Sequence, residues 1–305
     1  MKNILKRSTL VVAVSMLLSS QAIANPSTTI ELIEYPGAEN TQAWSINSKG
    51  EVVASSAVSF IYDRKSGGVT EIDTPVGYEN LAVFATSESG DKVGSAIDVN
   101  TGRTVGVFID KKGNVDTFEH PDSNGFTQAR AMNSKGMISG FYFDQNSGES
   151  YGFLYDRKNT AFTTIVESAF TISQGINASG QTVGSAIFLE NNPCDPASPF
   201  ARYAWVRNPS GDVMYFNIEG FQSAARGIAS NGTIVGFYFD NEGPKGFKIA
   251  TPKTQCATIT LEEGERVNIP DAIGTYPQYI SDNGKNIVGQ FITEDQNFVG
   301  FVIGK

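Results

Sequence analysis

The sequence is poor in the groups that most chemistry needs. It holds one histidine, His120, and two cysteines, Cys194 and Cys256, in 305 residues. One imidazole and two distant thiols do not make a zinc cluster, whose ligands come in closely spaced pairs. No metal and no cofactor is expected. Basic residues are also in deficit, with 23 Lys+Arg against 32 Asp+Glu and a net charge of −9. A nucleic-acid ligand needs a basic face to neutralise its phosphates, so that partner class is excluded, and simple electrostatic docking on anionic lipid goes with it. No stretch shows the 3.6-residue apolar period of an amphipathic helix. After residue 24 no run is long and apolar enough for a membrane helix, so no membrane insertion is expected. What remains abundant is Phe (20), Tyr (11) and Gly (31). That is the composition of many short aromatic strands separated by glycine turns.

Residues 1–24 read as a signal peptide. Lys2, Lys6 and Arg7 form a positive start, Ser8 to Ser20 is mostly apolar, and Ala22-Ile23-Ala24 is a small-residue cleavage site. A retained anchor is the alternative, but the apolar stretch is short for a bilayer. The mature protein is therefore expected in the periplasm or secreted, as a single domain over 25–305 and as a monomer. Losing three basic residues makes it more acidic still. An oxidising compartment favours a disulfide. The repeat alignment, however, puts Cys194 and Cys256 on loops of opposite faces, which leaves their pairing open.

Short strings recur almost verbatim. Asn-Ser-Lys-Gly occurs at 47–50 and 133–136, Val-Gly-Ser-Ala-Ile at 93–97 and 183–187, Gly-Phe-Tyr-Phe-Asp at 140–144 and 236–240, and Tyr-Asp-Arg-Lys at 62–65 and 155–158. A turn glycine marks each unit: Gly50, Gly90, Gly136, Gly180, Gly232 and Gly284. That period, about 40 to 52 residues, suits a four-stranded propeller blade. In the third unit strand a is 128–132, strand b 137–143, strand c 151–155 and strand d begins at Phe162. The chain past the signal opens with a d-like strand, 28–36, and stops on a c-like one, 298–305. The economical fold is all-β: a six-bladed β-propeller whose N-terminal strand completes the last blade and removes two unpaired sheet edges. An open β-solenoid is the alternative.

These repeats resemble the HAF-type extracellular repeat family, with an Ile-Asn-x-x-Gly-x-x-Val-Gly segment followed by a Gly-Phe strand. The clearest copies are 176–184 and the pairs Gly152-Phe153 and Gly246-Phe247. Ser87 and Ser281 depart from it at the Asn position, and the sixth unit has one extra residue before Gly289. The resemblance covers nearly all of 28–305. It implies exported repeat proteins of mostly unassigned role and supplies no catalytic residues.

In such a ring the a strands line a central channel. Three residues before each turn Asn or its equivalent stand Trp44, Phe84, Arg130, Gln174, Arg226 and Gln278, mostly flanked by small residues. Small flanks suit tight packing near the axis, and the large residues between them are the candidate binding set. Arginine forks suit a carboxylate or phosphate, and aromatics add a stacking face. Filling of the space between blades is the plainer reading. His120, beside Pro121, is the one candidate general base if it lies on the channel rim, against the plainer reading of a solvated loop histidine. The acidic b–c turns at 98–102, 144–148 and 240–243 lack a full calcium-loop pattern and read as hairpin turns. The long insertion 189–202 in the fourth unit is expected as a lid or flap on the channel face, and a second insertion near 251–264 in the fifth unit as structural, on the opposite face. The leading function is a binding or interaction module for a small anionic or polar ligand, a glycan or a protein. The alternatives are a hydrolase or lyase in the channel mouth, with Arg130 and Arg226 stabilising a developing anion, and a structural surface component.

Overall fold

The computed structural model describes residues 29–165, 167–198 and 200–304. The signal segment expected over 1–24 lies outside the described residues. The chain is all-β and propeller-like, with a single three-residue 3-10 turn (Glu263–Glu265) among the described residues.

Strand β1 (Thr29–Ile33) stands apart at the start of the chain. The first unit follows as β2 (Gln42–Ile46), β3 (Glu51–Ser55), β4 (Ser59–Asp63) and β5 (Gly68–Glu71). The second is β6 (Tyr78–Thr86), β7 (Lys92–Asp98), β8 (Thr104–Ile109) and β9 (Val115–Phe118). The third is β10 (Ser123–Met132), β11 (Met137–Asp144), β12 (Ser150–Asp156) and β13 (Ala161–Ile165). The fourth is β14 (Phe170–Ile176), β15 (Thr182–Phe188), β16 (Ala201–Arg207) and β17 (Val213–Ile218). The fifth holds β18 (Ser223–Ile228), β19 (Thr233–Asp240), β20 (Gly243–Ala250), β21 (Ala257–Ile259) and β22 (Arg266–Val267). The last is β23 (Gly274–Ile280), β24 (Ile287–Ile292) and β25 (Phe298–Gly304). Within each unit successive strands pair antiparallel, apart from β21, which leaves its own unit and pairs parallel with β17. The missing outer strand of the last unit is β1, antiparallel to β25 from Thr29↔Gly304 to Ile33↔Gly300.

The core is not one mass but a set of slabs, each shared by two neighbouring units. One joins Ala85, Val93 and Phe108 of the second unit to Ile138, Tyr142 and Phe153 of the third. Another joins Ile33, Val288 and Val302 of the last unit to Ala43, Ile46, Val52 and Phe60 of the first. A sheet covered on both faces loses the polar/apolar alternation of a half-exposed strand. Hence Val93, Gly94, Ser95 and Ala96 are buried in succession, as are Val183 to Ala186. The innermost strands touch in series: β2 with β6, β6 with β10, β10 with β14, β14 with β18, β18 with β23, and β23 with β2.

The recurrent turn does more than reverse the chain. Its glycines all take left-handed φ, from 72° to 92°, where a Cβ is disfavoured. The Asn177 side-chain oxygen accepts the backbone N–H of Ser179 and of Gln181. Its amide donates across the unit boundary to the Ala229 carbonyl at 3.1 Å. Asn47 and Asn133 make the same lateral bond, to the carbonyls of Ser87 and Asn177. Where Ala229 replaces the Asn, the backbone N–H of Ser230 donates to the Asp282 carbonyl instead. The Asn of the repeat is thus both a turn former and a staple between adjacent sheets.

Cys194 and Cys256 form a disulfide, with Cα atoms 5.2 Å apart. This corrects the placement of the two insertions on opposite faces. The reason is β21: the insertion of the fifth unit does not stay beside its own sheet. It adds a strand to the outer edge of the fourth, and its first residues reach the b–c loop there.

Candidate binding site

The six residues that stand three before the turn converge. Trp44, Phe84, Arg130, Gln174, Arg226 and Gln278, joined by Tyr279, line one cavity of about 20 Å³. Each of the six sits at a break in strand register. Ala129 pairs with Gly140 and Ala131 with Ser139, so Arg130 is the unpaired extra residue. The same break falls at Trp44, Phe84, Gln174, Arg226 and Gln278. A β-bulge re-aims the side chain of its extra residue and tightens the local twist. Repeating it once per unit turns one side chain of each inner strand toward the cavity.

The small flanks are explained by the same crowding. A Cβ on Gly175 would lie 2.7 Å from the Arg226 carbonyl oxygen, and one on Gly227 would lie 2.8 Å from the backbone nitrogen of Ile280. At these two flanks there is no room for a side chain, and the bulk falls to the bulged residue beside them.

The lining is divided. Trp44 and Phe84 pack edge to face, with ring centres 5.2 Å apart. The Arg130 guanidinium lies 4.4 Å from the Phe84 ring centre and 5.8 Å from that of Trp44. Arg226 lies 5.0 Å from the Phe237 ring centre. The remaining lining is the amides of Gln174 and Gln278 and the side chain of Tyr279.

Neither arginine has an acid. Arg64, Arg103, Arg157 and Arg266 each pair with a carboxylate. Arg130 and Arg226 have no such partner among the described residues, and the Nε of each is buried without a hydrogen bond. Both side chains line the cavity and keep a little exposed surface. Burial first, then the charge of Arg226, pulls Arg130 down to about 9. Burial first, then Arg202, pulls Arg226 down to about 10. Both stay cationic at neutral pH. A cation–π contact returns about 2 kcal/mol when desolvated, less than the several kcal/mol that a buried ion costs. The site therefore holds positive charge that the protein leaves uncompensated.

His120 is not part of it. It is 2% exposed, stacked on Tyr142 at 3.7 Å and edge-on to Phe162. Its Nε2 lies 3.1 Å from Thr164 Oγ1, and its Nδ1 accepts the Asp122 N–H. The Pro121 signal correctly marks the end of an outer strand but says nothing of side-chain direction, and the ring turns inward to a slab between sheets. Burial pulls its pKa below the usual 6.5, against weaker opposing pulls from Asp122 and Asp144. The unfolded imidazole takes its proton near 6.5 and the folded one only at lower pH. In that window the unfolded chain binds more protons, so this contribution to stability is complete above 6.5 and is lost as pH falls through the folded value. Urea midpoints compared at about pH 7.5 and about pH 5 should fall less in His120→Phe than in the wild type. An equal fall would place the responsible proton elsewhere.

The acidic b–c turns are hairpin devices. Asp98 Oδ1 accepts the Asn100 N–H, Asp144 Oδ1 those of Asn146 and Ser147, and Asp240 Oδ1 that of Glu242.

No family model matches the chain, and no curated protein matches it. Solved structures do. A protein described as a putative gluconolactonase superposes with a TM-score of 0.51 at 12% identity, over 92% of this chain and 93% of that chain. A streptogramin B lyase gives 0.42 at 14% identity, over 90% and 97%. The β-propeller domain of Cps50 (Swd1) from Myceliophteria thermophila gives 0.45 at 7% identity, over 90% and 99%. At such identity the first likeness speaks to the propeller-like fold alone.

Proposed function

We propose that this protein is an extracytoplasmic binding module, a six-bladed β-propeller closed by its N-terminal strand, which holds a small anionic group between Arg130 and Arg226. Closure is supported by the β1–β25 pairing and by the unbroken series of inner-strand contacts that returns from β23 to β2. Export is supported by the leader-like start of the sequence and by the disulfide. The observation that carries the binding role is the pair of guanidinium groups whose Nε atoms are buried without a hydrogen bond and without a carboxylate partner among the described residues, in a chain with 32 acids. A cavity of about 20 Å³ has room for roughly one or two water-sized occupants. It suits a small inorganic anion, or the carboxylate end of a ligand entering along the axis. A hydrolase or lyase would need a proton carrier there. The lining offers Tyr279, whose hydroxyl burial pushes well up, with Asp282 and Glu88 adding to the rise.

Nitrate or formate, each compared with a bulky anion at matched ionic strength, should raise the melting temperature of the mature protein. A ligand at a hundred times its Kd contributes about 2.7 kcal/mol. The Arg130→Met/Arg226→Met double variant should lose that response. At low salt it should be at least as stable as the wild type, because two uncompensated charges leave the interior. An undiminished nitrate and formate response in the double variant would end this reading.

A further inference from the structure

A third arginine belongs to a different and larger space. Arg202, on β16, lines a pocket of about 440 Å³ that also receives Asn217 from β17, Phe221 and Gln222 from the β17–β18 connection and Thr258 from β21. The Cys194–Cys256 disulfide forms part of its wall. Like the two arginines of the central cavity, Arg202 has no carboxylate partner among the described residues, and its Nε is buried without a hydrogen bond. Burial pulls its pKa down. The central cavity does not include it.

The pocket is built rather than left over. The insertion that walls it turns around Asn192, which is 2% exposed. The Asn192 side chain accepts the backbone N–H of Cys194 and of Asp195 and donates to the Ser198 carbonyl at 2.7 Å. The disulfide then fastens this loop to the strand borrowed from the next unit. Two insertions, both absent from the shorter repeats, are thus spent on one concavity. Its size falls within the roughly 300–1,000 Å³ of small-molecule sites.

We infer that this disulfide-walled pocket is a second ligand site, for a small hydroxylated carboxylate such as a sugar acid, with the carboxylate on Arg202. The planar guanidinium fork matches a carboxylate in two parallel hydrogen bonds. The side-chain amides of Asn217 and Gln222 and the Thr258 hydroxyl both donate and accept, which is what neighbouring hydroxyl groups require. The Asn217 oxygen already holds the Gly220 N–H, so its amide nitrogen is the free end. Phe221 and the 61%-exposed Phe200 supply flat apolar surface at the walls.

Isothermal titration of the mature protein with D-glucuronate and with D-glucose separates the outcomes. D-glucuronate should bind, and D-glucose, which lacks the carboxylate, should bind at least about tenfold more weakly. Arg202→Gln should weaken D-glucuronate by about tenfold or more, and Arg202→Lys, which keeps the charge but not the fork, by less. The Arg130→Met/Arg226→Met variant should still bind D-glucuronate, because the central cavity does not include Arg202 and the charge of Arg226 only opposes that of Arg202 from outside the pocket. Near-UV circular dichroism of the two Arg202 variants reports whether the fold is kept. The inference is overturned by equal binding of the two sugars, by no binding of D-glucuronate, by unaltered binding in a folded Arg202→Gln protein, or by loss in the double variant.

Discussion

Gly184→Ala is expected to cost about 3 kcal/mol or more, the upper end of what overpacking does, and to leave little folded protein on expression. Gly184 pairs opposite Ser173, beside the bulge that carries Gln174. The bulge presses the Ile172 carbonyl onto the glycine Cα, so that a Cβ would lie 1.9 Å from that oxygen and 2.6 Å from the indole of Trp205. Neither neighbour can yield cheaply, because one is backbone and the other is a fully buried ring in the largest residue of its slab. Gly94 is the internal comparison. Its Cβ would meet the Ala82 carbonyl at 2.0 Å, and its three nearest neighbours are all backbone atoms. Its partner on the next strand is Val107, not an aromatic. Gly94→Ala should therefore cost less than Gly184→Ala. The first unit shows how far relaxation goes, for Ala54 stands there opposite Ala43 with the bulge at Trp44 intact. Urea denaturation of both alanine variants decides the matter. Equal stability losses would mean that the aromatic contact contributes nothing, and no loss at all would remove the bulge as the origin of the Val-Gly signature.

That signature shows what was legible and what was not. The Val-Gly pairs at 93–94 and 183–184 mark the period in the sequence, and the position three before the turn marks the residues that meet in the cavity. Both are properties of one repeat, and a repeat preserves them in register. The bulge that causes them could not be read, since an extra residue shows only against its pairing partner. Contacts between units were hidden for the same reason. The lateral bond from Asn177 to Ala229 spans 52 residues of sequence, and nothing within one unit distinguishes it from a simple turn cap. The disulfide was obscured by an insertion that changes sheets, and His120 by a loop whose strand ends as expected while its ring turns inward. Local periodicity carried the propeller-like, all-β architecture and the set of inner-strand residues that line the cavity; the lateral contacts, which depend on what the neighbouring unit places opposite, did not follow from it.

Ile33→Asp should be among the most damaging single changes in the protein, and Leu32→Asp, one residue away, nearly silent. Both lie on β1, the strand that pairs with β25 across almost the whole length of the chain. Ile33 is fully buried in the slab with Ala43, Ile46, Phe60 and Val302, whereas Leu32 is 50% exposed. A carboxylate at 33 has no cation built to receive it. Lost burial and an uncompensated charge together cost roughly 3–5 kcal/mol, a large share of a domain's total of about 5–15 kcal/mol. The seam has other ties that the charge would strain. Arg64 of the first unit holds Glu31 of β1 at 2.7 Å and reaches Asn286 of the last unit at 3.2 Å. The Thr41 N–H donates to the Phe298 carbonyl at 2.7 Å, and the Phe298 N–H to Asn40 Oδ1 at 2.8 Å. Opening the seam strips β25 of its outer partner and leaves an unpaired edge. Ile33→Asp should thus show a lower urea midpoint, earlier cleavage by protease and a tendency to associate through that edge. Leu32→Asp should stay within about 0.5 kcal/mol of the wild type, as surface substitutions do. If the two variants unfold at the same urea concentration, β1 does not close the structure and the central cavity loses the frame that holds its arginines apart.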